Sequence, residues 1–185
     1  MVIWNQMMFQ DANSPLMESM ILFHDHAMLL ILMVIIFILY IMIFMSYKYH
    51  MNRYLLEGQF IEIIWTIFPI IFLIFLALPS LKILYLSDEL NNPDMSIKVM
   101  GHQWYWSYEY SDFNYSFDSF MLKDSMFRLL EVDNNLILPM FLQLRFIISS
   151  MDVIHSFTLP TLGIKVDAVP GRINQVSIMS MRPGI

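Results

Sequence analysis

Trp104, Trp106, Tyr108 and Tyr110 alternate with Gln103, Tyr105, Ser107 and Glu109, which puts five aromatic side chains between Gly101 and Tyr110. On one flat strand the first set shares a face. Packing against a sandwich core or against a membrane interface accounts for such a face without any chemistry. Both faces carry rings, however, and a sandwich buries only one face of each sheet. At least one ring is therefore expected at the surface, where a partner docks or an electron passes. His155 follows a polar turn in the run Asp152-Val153-Ile154-His155-Ser156-Phe157. Neutral imidazole is the commonest metal ligand and suits copper, although a lone histidine in a β-domain is more often structural. Glu62 opens a second apolar segment. The helix dipole favours a carboxylate there by about 0.3–1 kcal/mol, which is sufficient reason for its presence. The functional alternative is a proton-collecting group at a membrane entrance. His24, Asp25 and His26 lack further ligands nearby and read as interfacial polar residues, and Lys82 reads as a snorkelling cation.

Two elements must position these groups. Residues 27–45 and 63–78 contain no charged side chain. Nineteen residues at helical rise span roughly 28 Å, close to the thickness of bilayer hydrocarbon. The expected organisation is a leader at 1–26 with a turn near Asn13-Ser14-Pro15, a transmembrane helical hairpin at 27–86, and an extra-membrane domain at 87–185. Pro69 is expected to bend the second helix and Pro79 to lie near its end. Lys48 and Arg53 lie between the spans and the first 26 residues contain neither Lys nor Arg. By the positive-inside rule the hairpin turn faces the cytoplasm or matrix, with the leader and the C-terminal domain opposite. The same lack of basic residues excludes a cleaved signal peptide or presequence.

Beyond residue 87 short β-type runs at 97–110, 128–132, 141–148, 153–159 and 174–179 are separated by turn residues such as Asp133-Asn134-Asn135 and Pro170-Gly171. They predict an antiparallel β-sandwich. The composition narrows the partners. With 58% hydrophobic residues and a mean hydropathy of +0.59, the chain is too apolar for an ordinary soluble protein. Its net charge of −6 argues against nucleic acid. Residues 87–185 carry eleven acidic against seven basic side chains, which favours a basic partner. No cysteine is present, so the chain has no disulfide and no thiolate ligand.

Taken in order, these blocks resemble subunit II of the haem–copper cytochrome c oxidases, mitochondrial type. The resemblance rests on Phe9-Gln10-Asp11-Ala12-Asn13-Ser14-Pro15 with Phe23-His24-Asp25-His26, on Glu62-Ile63-Ile64-Trp65-Thr66-Ile67-Phe68-Pro69 with Ala77-Leu78-Pro79-Ser80-Leu81, and on the decapeptide from Gly101. Leu129-Leu130-Glu131-Val132-Asp133-Asn134, Asp152-Val153-Ile154-His155-Ser156 and residues 167–175 complete it. It implies a cupredoxin-like sandwich facing the intermembrane space of mitochondria and a hairpin in the inner membrane. Cytochrome c would dock on the acidic face through Glu109, Asp112, Asp133 and Asp152, and its electron would enter through Trp104. A dinuclear copper A centre, with His155 as one ligand, would pass the electron to haem a of subunit I. Glu62 would stand at a proton pathway entrance, and magnesium would bind at the subunit I interface.

The family's remaining copper ligands, two cysteines among them, follow the block Arg182-Pro183-Gly184. The resemblance therefore implies that they lie beyond Ile185, and that this chain stops before them and before the last strand. A sheet edge would be left unpaired, and the chain by itself would bind copper poorly. A quinol-oxidase relative and a purely structural two-span subunit without copper are the rival readings.

Overall fold

A computed structural model describes residues 5–47, 52, 54–89 and 92–184. It divides into two units, one comprising residues 1–19 and 85–185, the other residues 20–84. Lys48 and Arg53, on which the orientation of the hairpin rests, lie outside the described residues. So does Ile185, the expected boundary between this chain and the remaining copper ligands.

In the helical unit, α1 (Pro15–Tyr47) and α2 (Gln59–Asp88) are each long and apolar enough to cross a membrane. Helix α1 starts well before the charge-free stretch, and the Asn13-Ser14-Pro15 turn is its cap. The Ser14 hydroxyl oxygen accepts the Met17 N–H at 3.0 Å, and Pro15 takes the first helical position, where no N–H is needed. The same hydroxyl donates to the Leu162 carbonyl at 2.7 Å, so the first turn of α1 belongs to the β-unit. Asn13 joins in: its N–H donates to the Thr161 carbonyl, and its side-chain oxygen accepts the Met181 and Arg182 N–H groups. In α2 both Pro69 and Pro79 lie inside the helix, which continues to Asp88.

The β-unit contains β1 (Met95–His102), β2 (Tyr105–Tyr110), β3 (Tyr115–Ser119), β4 (Gln143–Ser150), β5 (His155–Leu159), β6 (Ile164–Ala168) and β7 (Asn174–Met179). A five-stranded sheet has the order β3-β2-β1-β4-β7, and β5 and β6 form a second, two-stranded sheet. Alternating burial along β1 and β4 turns Ile97, Val99, Leu144, Phe146 and Ile148 into the core. From the second sheet and its 160–162 turn come Phe157, Leu162, Ile164 and Ala168.

Three expectations are corrected. The 97–110 run is two strands, because the chain turns back at Gln103-Trp104 with His102 paired to Tyr105. The sandwich is not wholly antiparallel: β1 and β4 run parallel, with Ile97 opposite Phe146, because β4 returns alongside β1 after the long 120–142 crossover. Residues 128–132 form no strand. Leu129 has a φ of 67°, the Leu130 N–H closes a turn onto the Phe127 carbonyl, and only Val132 makes an isolated bridge to Met121. Strands β3 and β6 carry clear alternation, Tyr115-Ser116-Phe117-Asp118-Ser119 and Ile164-Lys165-Val166-Asp167-Ala168, that the sequence reading passed over.

Candidate functional site

The β1–β2 turn splits the aromatic set. Trp106 and Tyr110 pack against the core and Tyr108 is buried within it. Trp106 meets Phe157 edge to face at 5.3 Å and His155 at 5.9 Å. Burial, and then the neighbouring Tyr110, push the Tyr108 phenol up to about 12. Trp104 sits in the turn itself and is 88% exposed, which makes its indole the surface ring of the cluster. Beside it, His102 stacks on Tyr105 at 4.5 Å and Tyr105 stacks on Phe120 at 4.5 Å.

Asp152 ties this turn to His155. One carboxylate oxygen accepts the Gln103 N–H at 2.6 Å, from the residue that precedes Trp104. The other accepts the Val153 N–H at 2.6 Å and lies 2.7 Å from His155 Nε2. Desolvation opposes ionisation of Asp152. The hydrogen bonds from His155, Val153, Gln103 and Ser150 outweigh it and hold the carboxyl well below the ordinary carboxylate range. With Nε2 bound to a carboxylate, the imidazole presents Nδ1 as its other nitrogen, the arrangement that orients metal-ligating histidines elsewhere. The His155 side chain packs closely against Gly101: a Cβ there would come within 2.9 Å of His155 Cδ2. That requirement links two residues far apart in the chain, and sequence reading had no signal for it.

The fit to a copper centre is partial. Among the described residues no three His, Cys, Asp or Glu side chains gather as a metal site, and the chain has no cysteine. The residues present supply one oriented imidazole, not a site that closes around a metal.

The four carboxylates expected to dock a basic partner have other duties. Glu109 pairs with Lys98 at 2.7 Å, a half-exposed contact that contributes about 0–1 kcal/mol. Asp112 accepts the Ser96 N–H at 3.1 Å, and Asp133 accepts the Phe120 and Asn134 N–H groups at 2.7 Å. Each of these hydrogen bonds still leaves a carboxylate charge at the surface. Sequence reading missed Asp118, exposed on β3 opposite Ser107. It lines a shallow groove of ≈ 370 Å³ with His102, Tyr105, Ser107 and Glu109. The alternation of β3 was the signal that could have found it.

Glu62 belongs to the helical unit, exposed in the first turn of α2, with its N–H donating to the Gly58 carbonyl. His24 and Asp25 approach each other at 3.5 Å. The structure thus brings Gln103, Asp152 and His155 into one hydrogen-bonded assembly, with Trp104 next to Gln103 in the turn, while Glu62 belongs to the helical unit.

Comparisons with known proteins agree on one family. Residues 95–185 match the family described as cytochrome C oxidase subunit II, periplasmic domain, and residues 2–83 match its transmembrane domain. Cytochrome c oxidase subunit 2 of Rhipicephalus sanguineus is 56% identical over 190 residues, covering 100% of this chain and 84% of the relative. That of Periplaneta americana is 53% identical over 191 residues, with the same coverage. Among solved structures, the periplasmic domain of subunit II of the Bradyrhizobium japonicum cytochrome oxidase superposes with a TM-score of 0.50 and 42% identity, covering 52% of this chain and 70% of that one.

Proposed function

Because this chain belongs to the cytochrome c oxidase subunit II family, a family of membrane subunits of an oxidoreductase complex, we propose that its β-domain receives electrons from cytochrome c and delivers them toward haem a of subunit I. The observation that carries this reading is the bridge through Asp152. An exposed indole stands next to a backbone N–H whose acceptor carboxylate also holds His155.

In this reading Trp104 is where the electron enters. Its exposure lets a partner's haem edge approach, and strands β1 and β2 on either side of it, anchored in the core through Ile97, Val99 and Tyr108, keep it fixed. Glu109, Asp112, Asp133 and Asp152 supply a negative field, with Asp118 added by the geometry. Their shared task is steering: long-range attraction raises the association rate of a basic partner, and salt weakens it. His155 would offer its Nδ1 to the copper A centre, with Asp152 holding the imidazole through Nε2. Copper A, when bound with its thiolates, would supply one-electron relay chemistry. Glu62 serves as a proton pathway entrance on the opposite side of the hairpin. Magnesium at the subunit I interface and a place in the mitochondrial inner membrane, with the β-domain in the intermembrane space, belong to the same proposal.

The test is Trp104→Ala in the assembled, full-length oxidase. Stopped-flow oxidation of reduced cytochrome c is expected to slow by more than about tenfold, while the low-salt affinity for cytochrome c changes little. An unchanged electron-transfer rate would overturn the role of Trp104. A rate that falls only because affinity falls would reduce it to a docking contact.

A further inference from the structure

His26 has a partner that its interfacial position does not explain. Its Nε2 lies 3.3 Å from the backbone carbonyl oxygen of Phe75, on the other helix of the hairpin. Phe75 is four residues before Pro79, which sits inside α2. In a regular helix the carbonyl at 75 would accept the N–H of residue 79. Proline has no N–H, so that carbonyl loses its intrahelical bond.

A carbonyl oxygen only accepts, so Nε2 must carry the proton, as it does in the Nε2–H tautomer and in the imidazolium. Position 26 immediately precedes the charge-free stretch 27–45, and position 79 immediately follows the charge-free stretch 63–78. Both therefore lie at the same edge of the apolar zone, where competing water thins out and an unpaired backbone group becomes costly.

We propose that His26 is an interhelical latch, donating through Nε2–H to the Phe75 carbonyl that Pro79 frees. The proline opens the ladder of α2 and the histidine of α1 closes it, so the helix break becomes a joint between the two spans. Interhelical hydrogen bonds of this kind hold transmembrane segments together with modest individual strength. The latch also distinguishes His26 from His24, which lies beside Asp25 on the same helix.

The experiment is a double-mutant cycle on the full-length chain in phosphatidylcholine vesicles, reading the midpoint of thermal loss of helical circular dichroism. His26→Leu is expected to lower the midpoint in the natural background and to leave it unchanged in a Pro79→Ala background, where the substituted residue supplies the missing N–H. His26→Gln, which keeps a donor, is expected to recover most of the loss. Equal losses in both backgrounds, or no loss in either, would overturn the latch. If His26→Leu prevents insertion altogether, recovery of an inserted hairpin in His26→Leu/Pro79→Ala supports the latch, and failure to recover overturns it. A second readout comes from ¹⁵N-histidine spectra of the same vesicles. The resonance removed by His26→Gln should show a protonated, hydrogen-bonded Nε2, and an unprotonated Nε2 there overturns the assignment.

Discussion

Strands β1 and β4 and the two long helices are all rich in apolar residues, yet they use that character in opposite ways. Ile97, Val99, Phe146 and Ile148 are fully buried against partners in the same chain. In α2 no residue is buried, and in the 18-residue apolar window of α1 only 6% is. The β-unit therefore builds a core of its own and can hold a site at its edge. The hairpin leaves its apolar faces to lipid and to neighbouring subunits. The difference teaches where each unit's rigidity originates: inside the chain for Trp104, Asp152 and His155, and outside it for Glu62.

The strongest way to break that comparison is to empty the sandwich core. Phe146→Ala removes a fully buried ring whose centroid lies 6.0 Å from that of Phe157. It is expected to destabilise the β-unit by about 3–5 kcal/mol, read by denaturant unfolding of the full-length chain in detergent with tryptophan fluorescence. The helical signal should persist through that transition. Joint loss of helix and sheet would show that the two units depend on each other.

Alkali probes the same core more gently. The Tyr108 phenol is pushed up to about 12 by burial and by Tyr110. An acid with a raised folded value is stabilised in its neutral form. Its contribution is complete below the ordinary value of 10.0 and is lost as pH rises from there through about 12. A rise of that size corresponds to roughly 2–3 kcal/mol. Unfolding midpoints measured from about pH 9 to 12 should fall for the natural chain and fall less for Tyr108→Phe. Identical slopes would mean that Tyr108 is not the group responsible.

These residues also mark how far the sequence could be read. The two apolar spans were plain from charge alone, because burial in lipid demands long charge-free runs. Alternation placed Trp106, Tyr108 and Tyr110 on one face correctly. It failed at Trp104 because Gln103-Trp104 carries none of the glycine or asparagine that announces a two-residue hairpin turn. The Asn13-Ser14-Pro15 block announced a break in the chain, but whether it ended a loop or capped a helix depended on Leu162 and Met181, far along the chain. Asp152 was legible as a surface carboxylate. Its work for Gln103 was not, since only the fold brings residues 49 positions apart together.

Acid sharpens that last point. Asp152 is held well below its ordinary 3.8 by donors that outweigh its desolvation. A carboxyl with a lowered folded value contributes its stabilisation above the ordinary value and loses it as pH falls below. Between about pH 5 and 2 the natural β-unit should therefore lose more stability than Asp152→Asn, which starts lower and has no such charge to lose. The ¹⁵N signals of His155 should move in the same variant while those of His102, hydrogen-bonded to Ser107 at 3.0 Å, stay in place. Unmoved His155 signals would dissolve the link between the turn and the imidazole.

The smallest effect is expected where the comparison says nothing inside the chain is at stake. Ile36 lies in the middle of α1 and is 64% exposed, so its side chain meets detergent or lipid before and after the chain folds. Ile36→Ala leaves no cavity between packed groups, and the transfer of apolar area that makes core truncations costly does not occur. The midpoint of β-unit unfolding in detergent should stay within about 0.5 kcal/mol of the natural chain. Any change should emerge only after assembly with neighbouring subunits, as a loss of complex stability. A fall comparable to that of Phe146→Ala in the isolated chain would mean that α1 packs against its own protein at this position, and the division between a self-supporting sandwich and a partner-dependent hairpin would no longer hold.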